Sequence, residues 1–338
     1  MDEKWLVGVD LGGTTIKMAF ISLHGEIIYS WEIDTDKRER GQFIPIAIAR
    51  SIDQKLEELN QTKNRLIGIG IGAPGPVNED DGSIEVAVNL GWENFPLQDI
   101  LERETSLPVV VDNDANIAAI GEMWKGAGKG AKSLICVTLG TGVGGGIIVN
   151  GEIVHGVNGA GGEIGHITSV AKGGSPCNCG KSGCLETVAS ATGIVSLAQK
   201  ELSFTDCTSK LRDFYEENKT LTAKKVFDAA NEGDEIAKKI IQQVVYHLGL
   251  ALANLANGLN PEKIVLGGGV SKAGGTLLGP LKQEFISFAF PRVAQGVEIV
   301  TATLGNNAGV IGGAWLVKEK LLINEMCIPL KKLGGRFC

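Results

Sequence analysis

What this chain lacks narrows its class before any motif does. It has no surplus of positive charge: Lys and Arg total 32 against 39 Asp and Glu, a net charge of -7, and no basic run exceeds a few residues. A duplex nucleic acid is bound by clustered cations that displace condensed counterions, so that class of partner is disfavoured. A long apolar run is missing too. An uncharged stretch as long as any in the chain, 133–151, is dense in Gly, Thr and Asn and does not read as a membrane span. Met1-Asp2-Glu3-Lys4 leads into a strand-like run without the basic segment and apolar core of a signal peptide, so the cytoplasm is the expected location. Cysteine is sparse and odd in number, seven, with three between 177 and 184, which suits a metal site better than a disulfide framework.

What is present fits a folded chain of two domains: 338 residues, 43% apolar and 21% charged. Glycine is abundant, 47 residues, without a collagen-like period, so its use is local. Trp5 to Asp10, Ile16 to Ser22 and Glu26 to Ile33 read as three meandering strands, Phe43 to Leu59 as a helix, Leu66 to Gly72 and Pro108 to Asp112 as strands, and Ala115 to Trp124 as a helix. A similar order restarts at Leu134 to Leu139, continues through Gly146 to Val149, and turns at Asn150-Gly151, a type I′ hairpin signal, with Ile153 to His155 returning. Asp234 to Gly258 reads as a long helix, Lys263 to Leu266 as a strand and Gly309 to Leu322 as a final helix. The pattern predicts two copies of one strand-meander-plus-helix unit with a ligand cleft between them.

Two phosphate-loop patterns are decoys. Gly140 to Gly145 fits G-x-G-x-x-G, with Glu163 near the place of a ribose-binding acid, but a strand and hairpin follow where a dinucleotide site needs a helix. Gly126 to Ser133 fails as a P-loop because Ala131 takes the place of its second glycine. A better reading starts at Asp10-Leu11-Gly12-Gly13-Thr14-Thr15-Ile16-Lys17, a strand end, a glycine turn and a second strand. There, backbone N–H groups can approach phosphate oxygens, Thr14 adds a hydroxyl, and Asp10 can hold Mg²⁺ through its waters. Leu139 to Gly145 is a second turn of the same kind.

Cys177-x-Cys179-x4-Cys184 with His166 upstream offers three thiolates and one imidazole, a full tetrahedral Zn²⁺ set. Four protein ligands leave no position for an activated water, so the metal is expected to be structural. If one nitrogen of His166 faces zinc, the other can donate to a substrate hydroxyl. His24, His155 and His247 fit no cluster and read as turn, hairpin and helix residues; Cys136, Cys207, Cys327 and Cys338 show no metal spacing.

Seven ordered motifs resemble the ROK family of sugar kinases, and its glucokinases in particular, over Trp5 to about Lys318. They are Asp10-Leu11-Gly12-Gly13-Thr14, Gly72-Ala73-Pro74-Gly75-Pro76, Asn113-Asp114-Ala115-Asn116, Leu139-Gly140-Thr141-Gly142, Gly161-Gly162-Glu163-Ile164-Gly165-His166, Cys177 to Glu186, and Gly267-Gly268-Gly269-Val270. The resemblance implies an α/β fold of two duplicated ribonuclease-H-like, actin- or hexokinase-type domains, each with a mixed five-stranded sheet flanked by helices. The small domain is expected over 1–116 with a C-terminal helix of about 309–338 packing back, and the large one, carrying the zinc loop, over 117–308.

It also implies ATP- and Mg²⁺-dependent transfer of a phosphoryl group to the 6-hydroxyl of glucose, with Asp114 as general base. Asn113, Asp114, Glu163, His166 and Glu186 match sugar contacts, with Gly75 lining the same pocket. Asp10, Gly12, Gly13, Thr14, Lys17, Gly140, Thr141 and Gly142 match the phosphate side, and Gly268 and Gly269 the adenosine. Asp114 also reads as a helix cap, and Asp112, where many relatives carry Glu, as structural. Asn307 stands where the family commonly has Asp. The resemblance points to a homodimer or larger homo-oligomer. Kinases for mannose, fructose or an N-acetylated amino sugar, polyphosphate as donor, and a sugar-responsive regulator of the same family are the alternatives.

Overall fold

The computed structural model describes residues 3–204 and 207–323. The tail 331–338, Cys327, and the part of the C-terminal extension beyond 323 lie outside the described residues. Within them the chain forms two units, one of residues 3–130, 155–161 and 306–323, the other of 131–154 and 162–305.

In the first unit, β1 (Trp5–Leu11), β2 (Thr15–Ser22), β3 (Ile27–Asp34), β4 (Leu66–Ala73) and β7 (Val109–Asn113) make one sheet in the order β3-β2-β1-β4-β7. A small hairpin of β5 (Ile84–Ala87) and β6 (Trp92–Phe95) stands apart from it. The meander is antiparallel, whereas β4 and β7 run parallel to β1. β1 is buried nearly throughout, as a central strand covered on both faces must be, while no residue of β3 at the edge is fully buried. The helix Ile44–Glu58 buries Ile44, Ile48 and Ile52, the i, i+4, i+8 stripe that the sequence shows.

In the second unit, β8 (Leu134–Leu139), β9 (Val143–Val149), β10 (Glu152–Ile153), β11 (Lys263–Gly267) and β12 (Glu298–Thr301) repeat the same order, β10-β9-β8-β11-β12, with the same senses. The β9–β10 turn has Asn150 at φ 56° and Gly151 at φ 91°, both positive as a type I′ turn requires. The long helix Glu235–Leu259 starts where the Asp234 carboxylate accepts from the Ala237 N–H at 2.9 Å. The duplicated α/β architecture expected from the sequence is what forms.

The compact units can be set beside the expected domains of 1–116 and 117–308. A cut at 116 would divide the helix Asp114–Lys125, which stays whole in the first unit. Residues 155–161 also belong to that unit, although they lie inside the segment assigned to the large domain.

Close approach explains why the helix is kept. The helix Ala308–Val317 lies on β1, β4 and Asp114–Lys125 at backbone distance, with a glycine at each crossing. A Cβ on Gly8 would overlap the Val310 carbonyl, one on Gly70 the Gly313 carbonyl, and one on Gly312 the Ile117 carbonyl. Backbone cannot yield as a flexible side chain can. We expect Gly312→Ala to destabilise the protein by about 2 kcal/mol or more. Gly258→Ala, at an open position of the long helix, should instead leave stability unchanged or raise it by up to about 1 kcal/mol. Urea denaturation of both variants checks the pair, and equal effects would contradict the packing argument.

Candidate functional site

The chemistry-bearing residues of the first unit gather at the carboxyl ends of the parallel strands β1, β4 and β7, where Asp10, Gly72 and Asp112 stand in register. After Asp10, the Gly12 N–H donates to the Thr15 carbonyl at 3.0 Å, and Thr35 closes over the turn, its Oγ1 donating to the Gly12 carbonyl at 2.8 Å. Thr14 is left exposed at the tip. Lys17 pairs with Asp10 across the two strands and lies 3.7 Å from Glu32. Burial and the neighbouring charge of Asp114 push the Asp10 carboxyl up to about 6, against the opposing pull of Lys17. Two acidic groups so placed repel each other, and a divalent cation beside them removes the penalty.

Asn113, not Asp114, caps the following helix. Its Oδ1 accepts from the N–H groups of Ala115 at 2.8 Å and Asn116 at 3.3 Å, while its Nδ2 donates to the Gly75 carbonyl at 3.1 Å. Asp114 takes the first helical position, with Oδ1 accepting from the Ala115 N–H at 2.8 Å. Gly75 has φ 94°, and a Cβ there would strike the Val86 carbonyl, so the loop passes close to β5 only because no side chain is present.

Asp112 is buried and richly bonded. Its Oδ1 accepts from the Asn113 N–H at 2.7 Å and the Asn116 Nδ2 at 2.9 Å, and its Oδ2 lies 2.8 Å from His155 Nε2. His155, read from the sequence as a hairpin residue, follows β10 and belongs to the first unit, so sequence reasoning missed this pairing. The available signal was a carboxylate inside the strand Val109–Asn113, which needs a buried partner.

In the second unit, the turn Gly140-Thr141-Gly142 is tied down from several sides. The Ala191 N–H donates to the Gly140 carbonyl and Thr192 Oγ1 to the Thr141 carbonyl, each at 2.8 Å. Glu186 Oε2 accepts from the Val143 N–H at 2.9 Å. The carboxylate assigned to sugar contact is therefore also a strut of this turn. Gly268 has φ 82° and rests against the backbone of Leu139. Gly269 lines a cavity of about 730 Å³ with Gly140, Thr141, Phe227, Asn231 and Val270. That volume and apolar lining suit a nucleoside-sized ligand.

His166, Cys177, Cys179 and Cys184 converge, with all four ligand atoms within 4.8 Å of one another. Cys177 Sγ is 3.6 Å from His166 Nδ1 and Cys179 Sγ is 3.5 Å from Cys184 Sγ, close to the edges of a tetrahedron built on Zn–S distances of about 2.3 Å. Burial pushes the Cys184 thiol up to about 12, so its thiolate needs a cation beside it. The donor set thus fits structural zinc. His166 turns Nδ1 toward the cysteines and Nε2 toward Glu163, whose Oε2 is 3.9 Å away. Lys181 Nζ donates to the His166 carbonyl at 2.7 Å, lacing the cysteine loop to the short turn Ile164–His166. Among the described residues, no helix is long and apolar enough to cross a membrane.

Residues 6–320 match the profile of the ROK family. The chain is 59% identical over 320 residues to a glucokinase of Halalkalibacterium halodurans, covering 95% of this chain and 97% of that one. It is 37% identical to a glucokinase of Thermotoga maritima over 95% of this chain and 99% of that one. Among solved structures it resembles a ROK family glucokinase from Streptomyces griseus in complex with glucose and AMPPNP, with TM-score 0.72 and 33% identity, covering 92% of this chain and 98% of that one.

Two outcomes follow from this geometry. Purified protein should carry about one zinc per chain, and Cys184→Ala should lose it by elemental analysis; full retention would remove Cys184 from the ligand set. For Asp10, the native value of about 6 lies above the ordinary 3.8, so its charged form destabilises the fold. That cost is absent below the lower value and complete above the higher. In the absence of divalent cation, Asp10→Asn should therefore gain about 3 kcal/mol near pH 8 and much less near pH 4.5. Denaturation at the two pH values checks this, and an equal gain at both would contradict it.

Proposed function

The chain belongs to the ROK family, and we infer that it is a hexokinase-type phosphotransferase that moves the γ-phosphoryl group of ATP to the 6-hydroxyl of glucose. The observation that carries the reading is the pair of carboxylates at the ends of β1 and β7, Asp10 and Asp114, close enough for one to raise the other's proton affinity. Phosphoryl transfer asks a protein mainly for positioning, charge neutralisation and a proton acceptor, and this pair supplies a cation ligand and a base. Asp10 would hold Mg²⁺, which when bound offsets the charge of the phosphates.

In the proposed reaction the sugar 6-oxygen attacks the γ-phosphorus as Asp114 accepts its proton. The bond from that phosphorus to the β–γ bridging oxygen breaks, and ADP leaves. Gly12, Gly13, Thr14 and Lys17, with Gly140, Thr141 and Gly142, serve the phosphates through backbone N–H groups, hydroxyls and one ammonium. Asn113, Asp114, Glu163, His166 and Glu186 bond the sugar hydroxyls beside Gly75. A site of this kind rejects analogues that lack a bonded hydroxyl, because its own polar groups are then left unpaired.

The cavity beside Gly269, lined by Phe227, Ala223, Val270 and Ala273, supports ATP over polyphosphate as donor, because a bare phosphate chain has no use for an apolar nucleoside pocket. Gly268 and Gly269 take the adenosine side. Action in the cytoplasm and assembly as a homodimer or larger homo-oligomer belong to the same proposal and rest on the family resemblance.

A coupled assay with ATP-Mg²⁺ against glucose, mannose, fructose and N-acetylated hexosamines tests the substrate, with the largest kcat/KM expected for glucose. Asp114→Asn should cut kcat by about 10²- to 10⁴-fold while calorimetric glucose binding stays within a few-fold. Wild-type turnover in that variant would remove Asp114 as the base.

A further inference from the structure

Three groups from distant parts of the chain meet behind the base. Asp112 is the penultimate residue of β7, Glu79 stands in the loop that begins at Gly75, and His155 arrives on the segment 155–161. His155 bridges the other two, with Nε2 2.8 Å from Asp112 Oδ2 and Nδ1 3.4 Å from Glu79 Oε1. Asp112 passes the connection on, because its second oxygen accepts from the backbone N–H of Asn113 and from Asn116, which sits one helical turn further along. Asn113 in turn caps the helix that Asp114 opens and reaches the Gly75 carbonyl. The Asp112 side chain is only 6% exposed, so its charge is tolerable only while these donors remain in place.

We propose that His155 is a positioning residue for the phosphoryl-transfer base, acting through Asp112 to hold Asn113 and Asp114 in register with the Gly75 loop. The inference rests on the reading of Asp114 given above and adds a residue to it. The path is short: one hydrogen bond from His155 to Asp112, one from the next backbone N–H back to the same carboxylate, and then the base. Loss of the His155 donor leaves an under-bonded buried carboxylate one residue from Asn113, and the cheapest relief is rotation of the strand end. That rotation carries Asp114 away from any hydroxyl it must deprotonate, a displacement to which proton transfer is steeply sensitive. The hydrogen bond to Asp112 raises the His155 proton affinity, burial opposes it, and the charges of Asp112 and Glu79 raise it against Lys320. The imidazolium form, with a proton on each nitrogen facing a carboxylate, is thereby favoured.

The two ring nitrogens can be separated by substitution. A glutamine amide reaches the place of Nε2 and can still donate to Asp112, whereas an asparagine amide reaches only the place of Nδ1, toward Glu79. Steady-state kinetics with glucose and ATP on wild type, His155→Gln, His155→Asn and His155→Ala therefore test the route as well as the residue. His155→Asn and His155→Ala should lose kcat by about 10-fold or more with little change in the KM for ATP, and His155→Gln should restore most of it. Thermal melts accompany each variant, and the Gln against Asn comparison decides the matter even if His155→Ala does not fold. Equal kcat in the Gln and Asn variants, or an Asn variant faster than the Gln one, would overturn the proposal. A wild type that phosphorylates a different sugar changes only the substrate used in the comparison. A wild type inactive on every sugar fails before any variant is made, and takes this inference with it.

Discussion

Backbone packed directly on backbone holds the first unit together. The helix Ala308–Val317 meets β1, β4 and the helix Asp114–Lys125 through Gly8, Gly70, Gly121, Gly312 and Gly313, so carbonyls sit where side chains would ordinarily stand. Such contacts order few side chains and therefore cost little side-chain entropy, while gaining dense dispersion contact. They also allow little movement, since nothing at the crossing can change rotamer. Gly309 extends the arrangement to the chemistry, because its Cα lies against the Asp10 carboxylate. The same helix thus seats the strand that carries Asp10 and the helix that begins with Asp114.

The second unit reaches rigidity by other means. Its functional loops are rich in glycine and poor in apolar side chains, so burial contributes little to their order. Specific polar bonds replace it: Glu186 to Val143, Thr192 to Thr141, Lys181 to His166, and the convergence of three cysteines with His166. A tetrahedral cation held at that convergence would join the cysteine loop to the turn that carries Glu163 and His166. Glu186, two residues past Cys184, then links the same loop to the turn Gly140-Thr141-Gly142. One metal site can in this way orient groups on three separate segments.

Much of this was legible in the chain because it depends on short spacings. The strand-glycine-strand turns at Asp10 and Leu139, the Asn150-Gly151 hairpin and the Cys177, Cys179, Cys184 set are local patterns in which a few consecutive residues determine the geometry. The long helix from Glu235 and the helix from Ile44 were visible as apolar stripes. Less legible were the helices Leu97–Thr105 and Gly275–Phe288 and the strand Glu298–Thr301, whose patterns are short or, in the second helix, interrupted by Pro280. The cap at Asn113 was read one residue too late because Asn and Asp are equally good caps, and only the course of β7 decides which of them it leaves outside the helix.

The sequence by itself determined the repeated strand order, the residue types at both glycine turns, the metal donor set and the candidate base, since each is written within a few neighbouring positions. Only the tertiary structure decided that residues 155–161 join the first unit, that His155 meets Asp112 and Glu79, and that Gly312 and Gly313 of the helix Ala308–Val317 face backbone while Gly309 faces the Asp10 carboxylate. Those pairings join segments far apart in the chain. A linear pattern carries no record of which distant residue will fill a given space or satisfy a given buried charge until packing brings the two together.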